Sequence, residues 1–388
     1  MNVLIDASNI ISGGGLSHLI EILEATSLDL LNSNDIDKIY VVGIDATLKV
    51  LPQRDWLGVI SMENSDANFL KRFLWKQRNF KRLFRDYNID IVFNPGGSYF
   101  GGPLPYITMC RNMLVFETKE ANRFGFTFYR LKFFFLRMFQ SISMKNSLGT
   151  IFISEYAYNY ISTFYPSIRL RNYDVINHGV SNRFRSEVKE QQEIKDYSIT
   201  KPFKILYVSI LDVYKHHDKI AKAILKLRLN DALPVEFIVV GGKAGGYKKF
   251  DIIRSQHPNI IKYLGKIPFE QIQAQYKEAD LFVFGSTCEN MPNILIEAMS
   301  SGVPICCSEK QPMPEFLKDG GLYFNVEDSE SIYNCIRGAI LDKLQRENIA
   351  KISSKLSLQY SWEKCAKETF NFIATCYKKQ LGGSNKEL

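Results

Sequence analysis

Short apolar runs with the composition of buried strands recur along this chain, each followed by a stretch with helical spacing, and the alternation is laid out twice. The first series covers residues 2–5, 38–43, 90–94, 106–110, 150–154 and 175–177; the second covers 204–209, 236–240, 260–264, 280–284 and 304–308. A near-continuous run such as Ile91-Val92-Phe93 suits a strand covered by helices on both faces, and such alternation marks parallel α/β architecture. Between the series lies SNRFRSEVKEQQEIKDYSITKP, residues 181–202, which is polar and charged and reads as a linker. A chain of 388 residues also exceeds what one core ordinarily serves. The expectation is two facing, doubly wound Rossmann-like domains, residues 1–180 and 203–361, with ligands outside the carboxyl ends of the strands in an interdomain cleft. The stretch 360–377 has helical spacing with no strand after it, and the tail QLGGSNKEL reads as mobile.

Composition narrows the function classes. Hydrophobic residues at 46% and charged residues at 23% exclude wholesale disorder. No run of eighteen apolar residues predicts a membrane-spanning helix, and MNVLIDASNI has no basic leader, so the protein is expected in the cytosol. The seven cysteines (Cys110, Cys288, Cys306, Cys307, Cys335, Cys365, Cys376) are scattered without a C-x-x-C pair and read as small buried hydrophobes. The histidines at 18, 178, 216, 217 and 257 show no ligand spacing, so no metal site is expected. A formal net charge of +8 suits an anionic partner, whether nucleic acid, nucleotide or membrane surface.

Three glycine-rich loops follow strands. Ser12-Gly13-Gly14-Gly15 precedes the helical stretch LSHLIEILEA, Asn94-Pro95-Gly96-Gly97 follows the third strand, and Gly241-Gly242-Lys243-Ala244-Gly245-Gly246 follows EFIVV. Without side chains such loops let backbone amides approach an anion, and a helix N-terminus adds partial positive charge. None matches G-x-G-x-x-G with an acidic partner or a Walker A, and each is equally readable as a plain turn.

The most informative segment runs from Ser286 to Pro304, STCENMPNILIEAMSSGVP. Pro292 suits the first turn of a helix that Gly302 ends, which puts Glu289 before the helix and Glu297 on it. Amides of Asn293, Ile294 and Leu295 would be unpaired donors at a positive helix end, a cradle for a diphosphate. Carboxylates on either side could accept hydrogen bonds from sugar hydroxyls.

With these residues in place the chain resembles the family 4 glycosyltransferases, retaining enzymes of the GT-B fold, whose E-x7-E motif appears as Glu289 and Glu297. The likeness extends over most of the chain. ILYVSILDVYKHHDKI is similar to the segment carrying a basic residue for the donor diphosphate, here Lys215. KYLGKIP resembles the segment lining the nucleotide base, which points to Tyr263, Leu264 and Pro268, with Gly241 from the preceding loop. SGGGLSHL resembles the N-terminal glycine loop, Gly13, Gly14 and Gly15, and VINHGVSNRF resembles the end of the first domain. SWEKCAKE resembles the final helix, about 362–380, which in this fold packs back on the first domain. The resemblance implies a nucleotide-sugar donor held by the second domain, Glu297 on the ribose, Glu289 near the donor sugar and Lys215 on the departing diphosphate. It also implies same-face attack with retention, no metal or other cofactor, and a glycan or lipid-linked acceptor on the first domain.

Three positions depart from the family pattern. Ser209-Ile210 stands where many relatives have Gly-Arg, Asn290 where glycine is frequent, and Arg111-Asn112 where histidine is often found. No catalytic histidine is assigned, and Arg111 and Asn112 are grouped with the glycine loop. Asp35-Ile36-Asp37 lies in a polar turn and reads as a solvated loop rather than a metal site.

Residues 69–85 contain seven basic side chains and no acidic ones, interleaved with aromatics, and 123–139 are richer still in phenylalanine. The first stretch reads as an amphipathic helix packed on a sheet, with contact to an anionic membrane surface as its alternative, and the second as such a membrane contact. No RRM, KH, zinc-finger or helix-turn-helix pattern points to nucleic acid. Two other functions fit the same architecture: a nucleotide-sugar 2-epimerase, and a catalytically silent subunit that binds sugar nucleotides.

Overall fold

The computed structural model describes residues 1–62, 69–125 and 127–384. Phe126, within the aromatic stretch 123–139, and the last four residues of the tail lie outside the described residues. The chain forms two compact units. One comprises residues 1–116, 131–179 and 361–388, the other 117–130 and 180–360.

The first unit is built on a seven-stranded parallel sheet in the order β3-β2-β1-β4-β5-β6-β7. Its strands are β1 (Asn2–Asp6), β2 (Lys38–Gly43), β3 (Leu57–Ser61), β4 (Ile89–Asn94), β5 (Tyr106–Cys110), β6 (Gly149–Phe152) and β7 (Tyr173–Val175). Leu4, Val42 and Val92 of the central strands are fully buried and pack with Phe80, Leu83 and Phe84 of the helix Phe69–Asp86. The basic stretch 69–85 is thus a helix with an apolar face on the sheet. It also contributes Lys76, whose ammonium lies 2.8 Å from the carboxylate of Asp6, both of them buried. The final helix, Trp362–Ser384, belongs to this unit. It fits closely because Gly149 has no side chain: a Cβ there would sit 2.7 Å from the Phe372 ring. Tyr377 of this helix donates to Asp90 at 3.2 Å, and Asn34 donates to Asn371 at 2.7 Å.

The second unit carries a six-stranded parallel sheet in the order β10-β9-β8-β11-β12-β13. Its strands are β8 (Phe203–Val208), β9 (Val235–Val240), β10 (Ile261–Gly265), β11 (Leu281–Phe284), β12 (Ile305–Ser308) and β13 (Leu322–Phe324). In each sheet the strand order reverses between the first strand and the fourth, β1/β4 and β8/β11. That is where ligands of open α/β sheets bind, beyond the carboxyl ends.

Three expectations need correction. The strands β3 and β13 are additional to the two series read from the sequence. Residues 181–202 are not a loose linker: Phe184 and Gln191 are buried, Lys189 and Tyr197 hold Asp280 at 2.7 and 2.9 Å, and Arg346 donates to Gln191. Lys189 finds its counter-charge in Asp280 of the second unit. Residues 117–130, expected in the first domain, form part of the second unit.

Asp35-Ile36-Asp37 is the solvated turn expected, with Asp35 paired to Lys378 at 2.6 Å and Asp37 to the N-terminal ammonium at 2.7 Å. All seven cysteines are unbridged, and six of them are buried. Among the described residues no helix is long and apolar enough to cross a membrane, and no cluster of three metal-ligating side chains occurs.

Candidate active site

The strongest constellation lies at the switch point of the second sheet. β8 runs into Ser209–His216 and β11 into Gly285–Pro292, so neighbouring strands deliver two loops to one place. Lys215 comes from the first loop and Glu289 from the second, and the ammonium donates directly to Glu289 Oε1. The lysine is buried and its nitrogen lies about 5 Å over the rings of Phe284 and Tyr214, at 5.0 and 5.2 Å. Tyr207 secures this loop from below, its hydroxyl donating to the Lys215 carbonyl at 2.7 Å and accepting from the Gly285 amide at 3.2 Å. His216 follows in the left-handed region, φ 53°, and opens the helix His217–Leu229.

Glu297 sits in the helix Asn293–Ser300, and its electrostatics differ from those of Glu289. The nearest partner of its carboxyl is a hydroxyl, that of Tyr276, at 3.2 Å. Burial raises the Glu297 pKa to about 8, opposed only in part by the Tyr276 hydrogen bond and the charge of Arg183. A half-buried carboxyl held at one hydroxyl is disposed to accept further hydrogen bonds from a bound ligand.

The helix start differs from the sequence reading. Pro292 is the cap rather than part of the first turn. The Asn293 amide donates to the Met291 carbonyl at 3.0 Å and the Leu295 amide to the Pro292 carbonyl at 2.8 Å. Of the three amides expected as open donors, two are therefore already engaged, leaving Ile294.

Tyr263 donates to the Gly241 carbonyl at 2.9 Å, which ties the end of β10 to the end of β9. Gly241 has φ +149°, and a Cβ there would lie 1.8 Å from the Ser209 carbonyl oxygen, so glycine is obligatory. Leu264, near the end of β10, and Pro268, just beyond it, are both exposed. Ser209 hydrogen-bonds His217 Nε2 at 3.1 Å, while Ile210 is exposed.

In the first unit Gly13 caps the helix Gly14–Glu24 with φ 68°. A Cβ at Gly15 would be 3.3 Å from the guanidinium of Arg111, which brings these loop residues and Arg111 together at the end of β5. Among the described residues Arg111 Nε is buried without a hydrogen-bond partner and no carboxylate acts on the guanidinium, and burial lowers its pKa to about 10. Asn112 is exposed, its side chain accepting from the Leu114 amide at 3.1 Å. His18 is wholly buried, tilted against the His178 ring at 4.6 Å and edge-on to Trp362 at 5.7 Å. Burial, with His178 and Arg111 nearby, keeps it neutral.

Sequence reasoning missed Tyr207, Tyr214, Tyr276 and Thr287. Each touches a predicted site residue or its loop; Tyr207, Tyr214 and Thr287 lie inside the very segments that carry Lys215 and Glu289 but match no family position, and Tyr276 stands 21 residues before Glu297.

Residues 188–356 match the profile of the family described as glycosyl transferases group 1. O-antigen chain mannosyltransferase B of Escherichia coli is 35% identical over 111 residues, 29% of each chain. The chain spans about a third of the length of the first curated relatives it matches, from 29% to 38%. Sucrose-phosphate synthase from Thermosynechococcus elongatus superposes with a TM-score of 0.76 at 14% identity, covering 99% of this chain and 100% of that one. The Anabaena protein HepE, in complex with UDP-glucose, superposes at 0.67 and 16% identity over 99% and 100%. The chain has the GT-B fold, with two Rossmann-like parallel-sheet domains.

Proposed function

We propose that the chain is a retaining glycosyltransferase that moves a sugar from a nucleoside-diphosphate sugar to a glycan or lipid-linked glycan acceptor in surface polysaccharide assembly. The observation that carries this reading is the Lys215–Glu289 pair at the β8/β11 switch point, with Glu297 on the helix that follows. Breaking the bond between sugar and diphosphate builds negative charge on the departing phosphate. Lys215 and the Ile294 amide stabilise that charge where water is largely excluded. Glu289 holds the ammonium in position and faces the donor sugar, and Glu297 accepts the ribose hydroxyls. The acceptor hydroxyl attacks from the face that the diphosphate leaves, its proton passing to a phosphate oxygen, which retains the anomeric configuration without a metal. The matched profile and the named activity of the Escherichia coli relative support this class of donor and acceptor.

The helix Phe128–Asn146 supports a lipid-linked acceptor. Leu131, Phe135, Met138 and Ile142 recur at helical spacing and are all exposed, with Phe128 at 77% exposure in the first turn. They lie on the side away from the buried Gln140 and Met144, and the helix carries Arg130, Lys132, Arg137 and Lys145 with no acid. An apolar stripe rimmed by cations suits the headgroup layer of an anionic membrane.

Thermal melts with UDP, GDP, CMP, ADP and NAD test the donor site. Saturation at a hundred times the dissociation constant adds about 2.7 kcal/mol. One nucleoside diphosphate is expected to stabilise the protein, and Glu297→Ala to abolish the shift; a response to NAD alone sinks the reading. Product analysis then separates transfer from epimerisation. For the membrane surface, the protein is expected to sediment with vesicles rich in phosphatidylglycerol and not with phosphatidylcholine alone. Combined Leu131→Ser, Phe135→Ser and Met138→Ser should end that binding; retention by this triple variant removes the stripe from the account.

A further inference from the structure

Residues 117–130 join the second unit although the sequence around them belongs to the first, and they land on the loop that carries Glu289. Glu120 is buried there, and the Thr287 hydroxyl donates to its Oε2 at 2.5 Å. Arg123 grips the same carboxylate with two hydrogen bonds, at 2.6 and 3.2 Å, and reaches on to Glu327. Glu327 also accepts from Lys219 at 2.5 Å, in the helix that begins just after Lys215 and His216. Although burial opposes it, these hydrogen bonds from Lys219 and Arg123 lower the Glu327 pKa to about 2. Two acids and two bases thus close a neutral network around the donor loops.

The single proton of Thr287 has competing acceptors. Glu120 is at 2.5 Å and the Tyr214 carbonyl at 3.3 Å, so the charged, nearer carboxylate takes it. The Thr287 oxygen is then open to accept from His216 Nε2 at 3.3 Å. His216 stays a neutral imidazole because burial, reinforced by Lys219 and Arg123, lowers its pKa to about 4. The chain of bonds His216 to Thr287 to Glu120 therefore fixes both loops at once, one residue after Lys215 and two before Glu289. Glu117, also buried, lies against the Cys288 thiol between them.

We propose that Glu120, Arg123 and Thr287 are positioning residues, a clamp that sets the mutual orientation of Lys215 and Glu289. None of the three needs to touch the donor. The proposal rests on the reading of Lys215 and Glu289 as the donor site, and the experiment separates failure of one from failure of the other.

Thr287→Val removes the hydroxyl while keeping the shape, and Thr287→Ser restores it. Initial rates of nucleotide release are measured with UDP-glucose and GDP-mannose beside nucleotide binding and melting temperature. Thr287→Val is expected to lower kcat about 10- to 100-fold, the size of effect that misplaced catalytic groups produce, with donor KM and nucleotide affinity within about threefold. Thr287→Ser should recover most of the rate. A merely structural role would instead lower the melting temperature and leave kcat per folded molecule unchanged, and that result overturns the clamp. Should Thr287→Val not fold, Glu120→Gln decides: it keeps an acceptor oxygen but loses the charged bond, and an unchanged kcat overturns the proposal. Wild-type protein that neither binds nucleotide nor releases it sinks the donor-site reading itself, whereas active wild type with equally active variants sinks the clamp alone.

Discussion

The carboxyl edges of the two sheets share one topology and differ in charge. In the first unit β1 ends on Asp6, which is closed off by Lys76, and the loop after β5 carries Arg111, a guanidinium with no carboxylate partner among the described residues. In the second unit the lysine of the β8 loop is matched by Glu289, and the group left over is an acid, Glu297, whose nearest partner is a tyrosine hydroxyl. One edge therefore holds a spare cation and the other a spare carboxyl. Strand order decides where a ligand can lie, but these residual groups decide its chemistry. An anionic group suits Arg111 and the glycine loop; a ligand rich in hydroxyls suits Glu297.

The sharpest way to break this contrast is to remove each cation. Lys215→Met should cost on the order of 3 kcal/mol in urea denaturation, because Glu289 stays largely buried without its partner. It should also slow sugar transfer at least about 100-fold, as expected when charge stabilisation at a leaving group is lost. Arg111→Met removes a cation that nothing compensates, so ligand-free stability should stay within about 1 kcal/mol of wild type or rise. Equal destabilisation by the two substitutions would mean that Arg111 has a partner role, and the contrast would fall.

Much of this was legible in the sequence, for reasons that also mark where legibility stops. Central strands such as Ile91-Val92-Phe93 announce themselves because parallel strands buried on both faces must be apolar throughout. β3, LGVIS, contains a glycine and ends at polar residues, and β13 is only three residues long, so neither carries that signal. Glu289 and Glu297 were visible because they lie on one loop and the helix beside it, with a proline marking the helix start. The charged stretch 181–202 misled because composition records charge and not partners. Lys189 and Tyr197 find Asp280 more than eighty residues away. The clamp was equally hidden, since Glu120 and Thr287 are 167 residues apart and Glu120 sits in no motif.

The effect at the spare carboxyl itself appears only as pH is varied, and its sign follows from linkage. Glu297 in the folded protein titrates near 8 against 4.5 for an ordinary glutamate, chiefly because burial disfavours the charge. The unfolded chain therefore ionises first. Below pH 4.5 both states hold the proton and the group contributes nothing. As pH rises from 4.5 to 8 the folded state loses ground, and above 8 the cost is complete. Between pH 5.5 and 8.5 ligand-free wild type should lose on the order of 3 kcal/mol relative to Glu297→Gln. Ligand hydroxyls donating to the carboxylate favour its ionised form, so nucleotide binding should release a proton. Affinity for the stabilising nucleoside diphosphate should accordingly rise with pH up to about 8 in wild type and stay flat in Glu297→Gln. Calorimetric titrations in two buffers of different ionisation enthalpy count that proton directly. A wild-type affinity that does not move with pH would show that the ribose finds its acceptor elsewhere, and the spare carboxyl would lose its assigned ligand.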